Sequence, residues 1–232
     1  MEPQERTIYL DLDGTLLDVR GRYWALHSHL VGRLGARSPL QRAYWGRKRR
    51  GLGLEAVLLD AGPAARREYR RRWLAEVETA AFLQHDRLLP GARDALARLG
   101  VRARLVLVTL RRNRRTLVAQ LDHLGISGFF AQVATPQTPT EHESKAALIR
   151  RVDGLPGPGA LVVGDTEADV AAARELGLRS VAVLSGLRDR AFLEARRPDY
   201  IIQSITELPR LLEGLGPDAP RAGGAGSLTV LT

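Results

Sequence analysis

Short apolar runs and amphipathic stretches alternate along most of this chain. Strand-like runs fall near residues 7–11, 104–109, 131–134, 160–165, 180–184 and 199–202, and helical spacing covers 91–99, 113–124, 143–152, 167–176 and 188–195. Strand followed by helix, repeated in this way, implies a mostly parallel sheet covered by helices on both faces, an α/β fold. Residues 19–87 break the alternation, with no convincing strand but amphipathic helical stretches at 22–34, 39–50, 53–60 and 64–83. The pattern predicts a discontinuous core of residues 1–18 and 88–213, interrupted by an all-helical insertion over 19–87. Leu89, Pro90 and Gly91 punctuate the return to the core. The stretch 214–232, rich in Gly, Pro and Ala, is expected to be a disordered tail.

The candidate chemistry sits where the apolar runs end. Ile8, Tyr9 and Leu10 lead into Asp11-Leu12-Asp13-Gly14-Thr15-Leu16-Leu17-Asp18. Two carboxylates at the carboxyl end of a buried strand need a compensating partner, because burying unpaired charge is expensive. A divalent cation is the simplest one. A second run, 104–109, ends in Thr109, and a third, 160–165, ends in Val163-Gly164-Asp165, with Asp169 four residues on. Between them Lys145 opens a helix-like stretch. Only Lys48 and Lys145 are lysines among the 35 basic residues. The compact ammonium and the planar guanidinium are not interchangeable beside a crowded anion, so Lys145 stands out.

The order Asp-x-Asp-Gly-Thr-Leu-x-Asp, Thr, Lys, Gly-Asp-x-x-x-Asp resembles the four motifs of the haloacid dehalogenase superfamily, over roughly residues 7 to 184. An all-helical insertion just after the first motif resembles the helical C1 cap of its phosphoglycolate-phosphatase-like members. The resemblance implies a Rossmann-like core with an inserted helical cap, and Mg²⁺-dependent hydrolysis of a small phosphorylated metabolite through an aspartyl-phosphate. It assigns Asp11 as nucleophile and Asp13 as general acid and base. Asp11, the backbone carbonyl of Asp13 and Asp165 become the metal ligands, Thr109 and Lys145 the phosphate contacts, and Asp169 a support for Lys145 or the metal shell. An aspartate at position 13 favours phosphate esters over dehalogenation or phosphonate cleavage. Two departures weaken transfer of a named substrate: Lys145-Ala146-Ala147 replaces Lys-Pro-x-Pro, and Thr109-Leu110-Arg111 replaces Thr-Asn-Lys. Arg111 is either a further phosphate contact or a solvent-facing side chain. Arg20, Arg22, Tyr23 and His27 follow the first motif and are either cleft-facing cap residues or, the plainer reading, ordinary helix-surface or packing residues. A phosphomutase on a sugar phosphate remains a rival, since it uses the same pair of aspartates.

Composition narrows the partners. The formal charge is +9, with arginine clusters at 47–50, 66–72 and 111–115. Such a balance invites a nucleic-acid-binding reading, but the arginines are interleaved with helical apolar spacing, and the intact acid pairs weigh against a non-catalytic binding protein. A basic rim also steers anionic substrates. No stretch is apolar enough for a membrane span, no apolar signal segment precedes the first strand, and the absence of cysteine fits a reducing, cytoplasmic setting. Oligomeric state is not legible.

Overall fold

The computed structural model describes residues 6–138, 143–157 and 159–215, with the backbone of 229–230. In chain order come β1 (Arg6–Leu10), β2 (Leu17–Asp18), α1 (Arg20–Leu34), α2 (Gln41–Arg49), α3 (Pro63–Glu76), α4 (Ala80–Leu83) and β3 (Arg87–Leu88). Then follow α5 (Ala92–Gly100), β4 (Ala103–Val108), α6 (Arg114–His123), β5 (Gln132–Ala134), α7 (Lys145–Asp153) and β6 (Leu161–Gly164). The last are α8 (Glu167–Glu175), β7 (Arg179–Val183), α9 (Arg190–Glu194), β8 (Tyr200–Ile202), α10 (Leu208–Gly214) and β9 (Thr229–Val230).

Seven strands form one sheet in the order β5-β4-β1-β6-β7-β8-β9, and their pairings are parallel. Side chains alternate across β1. Ile8 and Leu10 join Leu105, Leu107, Leu161 and Val163 under α5, α6 and α10, whereas Tyr9 joins Val106 and Val162 under α7 and α8. Burial on both faces explains why these strands read as continuous apolar runs. Each fully buried Val, Leu or Ile contributes roughly 1.5–3 kcal/mol over an exposed one. From β1 the chain builds outward to β4 and β5, then returns to place β6 on the other side of β1. Open parallel sheets bind ligands outside the carboxyl ends at such a reversal, and here those ends carry Asp11, Thr109 and Asp165.

The six predicted core strands are all present. The helical insertion differs from expectation in detail. Residues 53–60 form a single 3-10 turn at Leu54–Val57 rather than an α-helix, being confined between Gly53 and Asp60, whose φ is 50°. The stretch 64–83 divides into α3 and α4 at Val77–Thr79, where the Glu78 side chain accepts hydrogen bonds from the Arg112 and Asn113 backbone N–H groups. A short antiparallel ribbon, Leu17 opposite Leu88 and Asp18 opposite Arg87, joins the outgoing and returning chain. Two-residue strands are too short for periodicity to reveal. The inserted helices bury their own cluster, including Leu26, Leu30, Tyr44, Tyr69 and Trp73. Of the expected tail, Thr229 and Val230 instead pair as edge strand β9 with β8, while 216–228 and 231–232 lie outside the described residues. No helix among the described residues is long and apolar enough to cross a membrane.

Candidate active site

Asp11 continues the line of β1, its backbone N–H donating to the Val163 carbonyl at 2.9 Å. The chain then turns at Gly14, whose φ is +89°. A Cβ there would lie 2.3 Å from Asp165 Oδ2, so only glycine lets the first loop close over the end of β6. Asp165 follows Gly164, and Gly186 approaches its other side so tightly that a Cβ would fall 2.0 Å from Oδ2. Asp169 forms a capping box with Thr166 at the start of α8. Lys145 is the first residue of α7, whose cap is Ser144, accepting from the Ala147 N–H at 3.1 Å.

These elements converge on one buried charge cluster. Lys145 Nζ lies 2.5 Å from Asp11 Oδ1 and 2.5 Å from Asp169 Oδ1. Burial opposes the Lys145 charge, but Asp11 and Asp169 outweigh it and hold the ammonium well above the ordinary lysine range. Burial pushes Asp11 up to about 6; Lys145 counters this, while Asp169 and Asp13 add to it. Asp165 too is raised well above the ordinary carboxylate range, first by burial and then by the charges of Asp11 and Asp169. Its Oδ2 accepts the Leu187 N–H at 2.5 Å, while its buried Oδ1 has no hydrogen-bond partner. Ligand oxygens of Asp11, Asp165 and Asp169 lie within 4.8 Å of one another. Three buried carboxylates against one ammonium, with one carboxylate oxygen orphaned, fit a bound cation, and all-oxygen donors suit a hard one.

Asp13 faces elsewhere. Its carboxylate receives Arg111 (Nη2 to Oδ1, 2.5 Å; Nε to Oδ2, 3.1 Å) and Arg22 (Nη2 to Oδ2, 2.6 Å). Behind it lies Asp86, 3.1 Å from Arg111 and 3.2 Å from Arg22. Burial alone would raise Asp13, but Arg111 and Arg22 prevail and hold it well below the usual carboxylate range. The Asp13 carboxylate therefore stands outside the acidic cluster. Arg111, expected as a phosphate contact or an exposed residue, is buried, with its guanidinium engaged by Asp13, Asp86 and Gln120. Thr109 is buried at the end of β4, its N–H bonded to the Ala134 carbonyl at 3.0 Å.

A cavity of about 280 Å³ opens over these groups. Asp11, Asp13, Thr109, Arg111 and Lys145 line it from the strand ends, and Arg22, Tyr23, Trp73, Leu74, Val77 and Glu78 from the helical insertion. Of the four insertion residues singled out in the sequence, Arg22 and Tyr23 reach this cavity. Arg20 is exposed and paired with Asp18 at 2.5 Å, and His27 is buried between the Tyr69 and Ser38 hydroxyls, each at 2.8 Å.

A family model for haloacid dehalogenase-like hydrolases matches residues 8–183, which span every one of these strand ends. The chain belongs to that family. Among relatives of this haloacid dehalogenase-like hydrolase, the phosphoglycolate phosphatase of Synechococcus elongatus is 27% identical over 205 residues, covering 88% of this chain and 95% of its own. A pyrophosphatase of Oceanobacillus iheyensis is 24% identical over 216 residues, covering 88% of this chain and 94% of its own. The structure of a haloacid dehalogenase-like hydrolase from Streptococcus pneumoniae superposes with a TM-score of 0.71 at 26% identity, covering 90% of this chain and 98% of that one. Sequence reasoning missed Asp86, Glu78, Trp73 and the Leu187 N–H in this enzyme's site. Trp73 carried a faint signal, as an aromatic on an otherwise basic helix; the other three carried none.

Proposed function

We propose that this enzyme is a Mg²⁺-dependent phosphohydrolase acting on a small phosphorylated metabolite through an aspartyl-phosphate on Asp11. The observation that supports it most is the Asp11 carboxylate at the cavity floor, 2.5 Å from Lys145 and beside a carboxylate cluster short of positive charge. Asp11, Asp165 and the backbone carbonyl of Asp13 would hold the Mg²⁺, which supplies charge neutralisation between anionic nucleophile and anionic substrate. An Asp11 oxygen attacks phosphorus and the bond to the leaving oxygen breaks. Asp13, once substrate entry draws Arg111 and Arg22 off its carboxylate and lets it take up a proton, protonates that oxygen, then takes a proton from the water that hydrolyses the acyl phosphate. Thr109 donates to a phosphoryl oxygen, Lys145 offsets the charge gathering there, and Asp169 positions Lys145. Residues 19–87 act as a cap that closes over the strand ends and excludes water. The clamp of Arg22 from α1 on Asp13, and of Glu78 on the Arg112 and Asn113 amides, supports a closed arrangement.

Phosphate release from an aryl phosphate, with Mg²⁺ or with chelator, tests this reading. Turnover should require the metal, and Asp11→Asn should lower it by about 10³-fold or more while circular dichroism stays unchanged. Metal-independent turnover, or turnover surviving in Asp11→Asn, refutes it. An isomerised product in place of free phosphate would mark a mutase.

A further inference from the structure

The inserted helices present a mainly apolar wall to the cavity. Tyr23 of α1, Trp73 and Leu74 of α3, and Val77 just beyond α3 form it, and Leu110 and Leu187 complete the lining from the loops after β4 and β7. Leu74 is 45% exposed and Leu110 42% exposed, so two large apolar side chains, one from the insertion and one from the core, stay open to solvent at the same cavity. Single exposed leucines are ordinary on a protein surface. Two that meet at a concave site rimmed by charge mark a binding surface. The rest of α3 turns Tyr69 and Trp73 into the insertion's own core and leaves Arg67, Arg70 and Arg71 to solvent. Leu74 belongs to neither face.

Charge around this wall is already committed. Among the described residues Arg22 is the one insertion cation in the lining, and it is held by Asp13 at 2.6 Å and Asp86 at 3.2 Å. It stands beside Asp13, so any charge it lends the substrate goes to the phosphoryl end. Glu78 accepts from the Arg112 and Asn113 N–H groups, and its own charge repels an anion. Burial raises the Tyr23 hydroxyl above its ordinary range and keeps it uncharged. The Lys48 ammonium lies 5.4 and 5.8 Å from the Tyr23 and Trp73 ring centroids without lining the cavity. On the core side Arg111 is engaged by Asp13, Asp86 and Gln120, and Arg112 is not free. A second anionic group on the substrate would meet aromatic and aliphatic carbon here, losing hydration without gaining a partner.

We propose that the substrate is a phosphate monoester of an uncharged, apolar alcohol, whose hydrocarbon part packs on Tyr23, Trp73, Leu74 and Leu110 while its phosphoryl group sits over Asp11. The inference rests on the phosphohydrolase reading and narrows the small phosphorylated metabolite to this class. It sets the substrate apart from phosphoglycolate and pyrophosphate, whose far ends are anionic. Burial of apolar surface then supplies the binding energy that a second charged contact would otherwise give. The cavity, about 280 Å³, lies at the lower edge of the roughly 300–1,000 Å³ of small-molecule sites, which limits the alcohol to a short chain or one ring.

The test compares ethyl phosphate, isohexyl phosphate and γ-phosphooxybutyrate as substrates of the full chain with Mg²⁺. The two longer esters share shape and a primary leaving oxygen, and differ in ending on an isopropyl or a carboxylate group. From ethyl to isohexyl phosphate kcat/KM should rise about tenfold or more, as added methylenes are buried. For γ-phosphooxybutyrate it should lie about tenfold or more below that of isohexyl phosphate. Leu74→Lys should reverse the preference between the longer esters, and Leu74→Met should keep it. A wild type that prefers γ-phosphooxybutyrate or treats the esters alike overturns the proposal, as does a Leu74→Lys variant with the wild-type preference. Calorimetric binding of the longer esters to Asp11→Asn separates this inference from the hydrolase reading. Isohexyl phosphate binding about tenfold or more tighter, where the wild type turns over none of the esters, supports the apolar subsite and sinks the hydrolase reading alone. Equal binding of the two, or none, sinks the subsite.

Discussion

Arg111 and Arg22 face Asp13 and Asp86 in a compact four-charge group, with Arg22 and Asp86 almost completely buried. Two cations against two anions leave the group neutral, so its members depend on one another. Removing one partner from a buried pair costs roughly 3–5 kcal/mol, because the remaining charge is stranded. Arg111→Ala should lower the unfolding free energy by about that much in urea denaturation; a loss below about 1 kcal/mol, the scale of a surface pair, would contradict the pairing. Elsewhere arginine serves as a donor to backbone carbonyls. Arg47 reaches Ala56, Arg66 reaches Glu55, Leu58 and Ala61, and Arg93 reaches Leu124 and Gly125. The forked guanidinium bridges several acceptors where an ammonium is a point charge. Parts of the clusters at 47–50 and 66–72 are structural in this sense, which weakens the nucleic-acid reading of the +9 charge.

Among the elements, the inserted helices carry a pH response of their own. His27 of α1 is fully buried, its ring bonded to Tyr69 and Ser38, and burial, aided by the Lys48 charge, pulls its pKa down from 6.5 to about 4. Between those values the unfolded chain binds a proton that the folded one does not. His27 therefore costs nothing above about pH 6.5, and stability is lost as pH falls from there toward 4. The loss should reach about 2 kcal/mol by pH 5. His27→Gln should be destabilised at pH 7.5, with its gap from wild type narrowing at pH 5; a constant gap in urea midpoints would rule the effect out. Helical spacing foretold α1, α2 and α3 because each packs an apolar stripe on its neighbours. It failed at Glu78, where the capture of that carboxylate by the Arg112 and Asn113 amides breaks the helix. A residue more than 30 positions away leaves no trace in local periodicity.

At the scale of the whole molecule, the sheet order decides where charge gathers. Because β1 lies between β4 and β6, Asp11, Thr109 and Asp165 end side by side, and the crossing into α7 and α8 adds Lys145 and Asp169. The excess of carboxylate is a repulsion that the proposed cation would relieve. Mg²⁺ at about 100 times its dissociation constant should add about 2.7 kcal/mol, raising Tm by a few degrees. Asp165→Ala should abolish that shift in thermal denaturation. A Tm indifferent to Mg²⁺ in the wild type would count against a metal at this cluster.

The residues of the chain by themselves determined the α/β class, the six core strands, the helical character of the insertion, the acids and threonine at the strand ends and the lysine that opens a helix. Apolar periodicity reports the neighbours a residue meets within its own element, and short motifs report chemistry concentrated in a few adjacent positions. Tertiary structure alone decided that Arg111 turns to Asp13 and Asp86, that Asp169 rather than the Asp13 carboxylate joins the acidic cluster, and that Lys48 lies over Tyr23 and Trp73. Those outcomes are choices of partner between charges far apart along the chain. They are set by which helix end packs against which strand end, and no local pattern of apolar and polar residues encodes that.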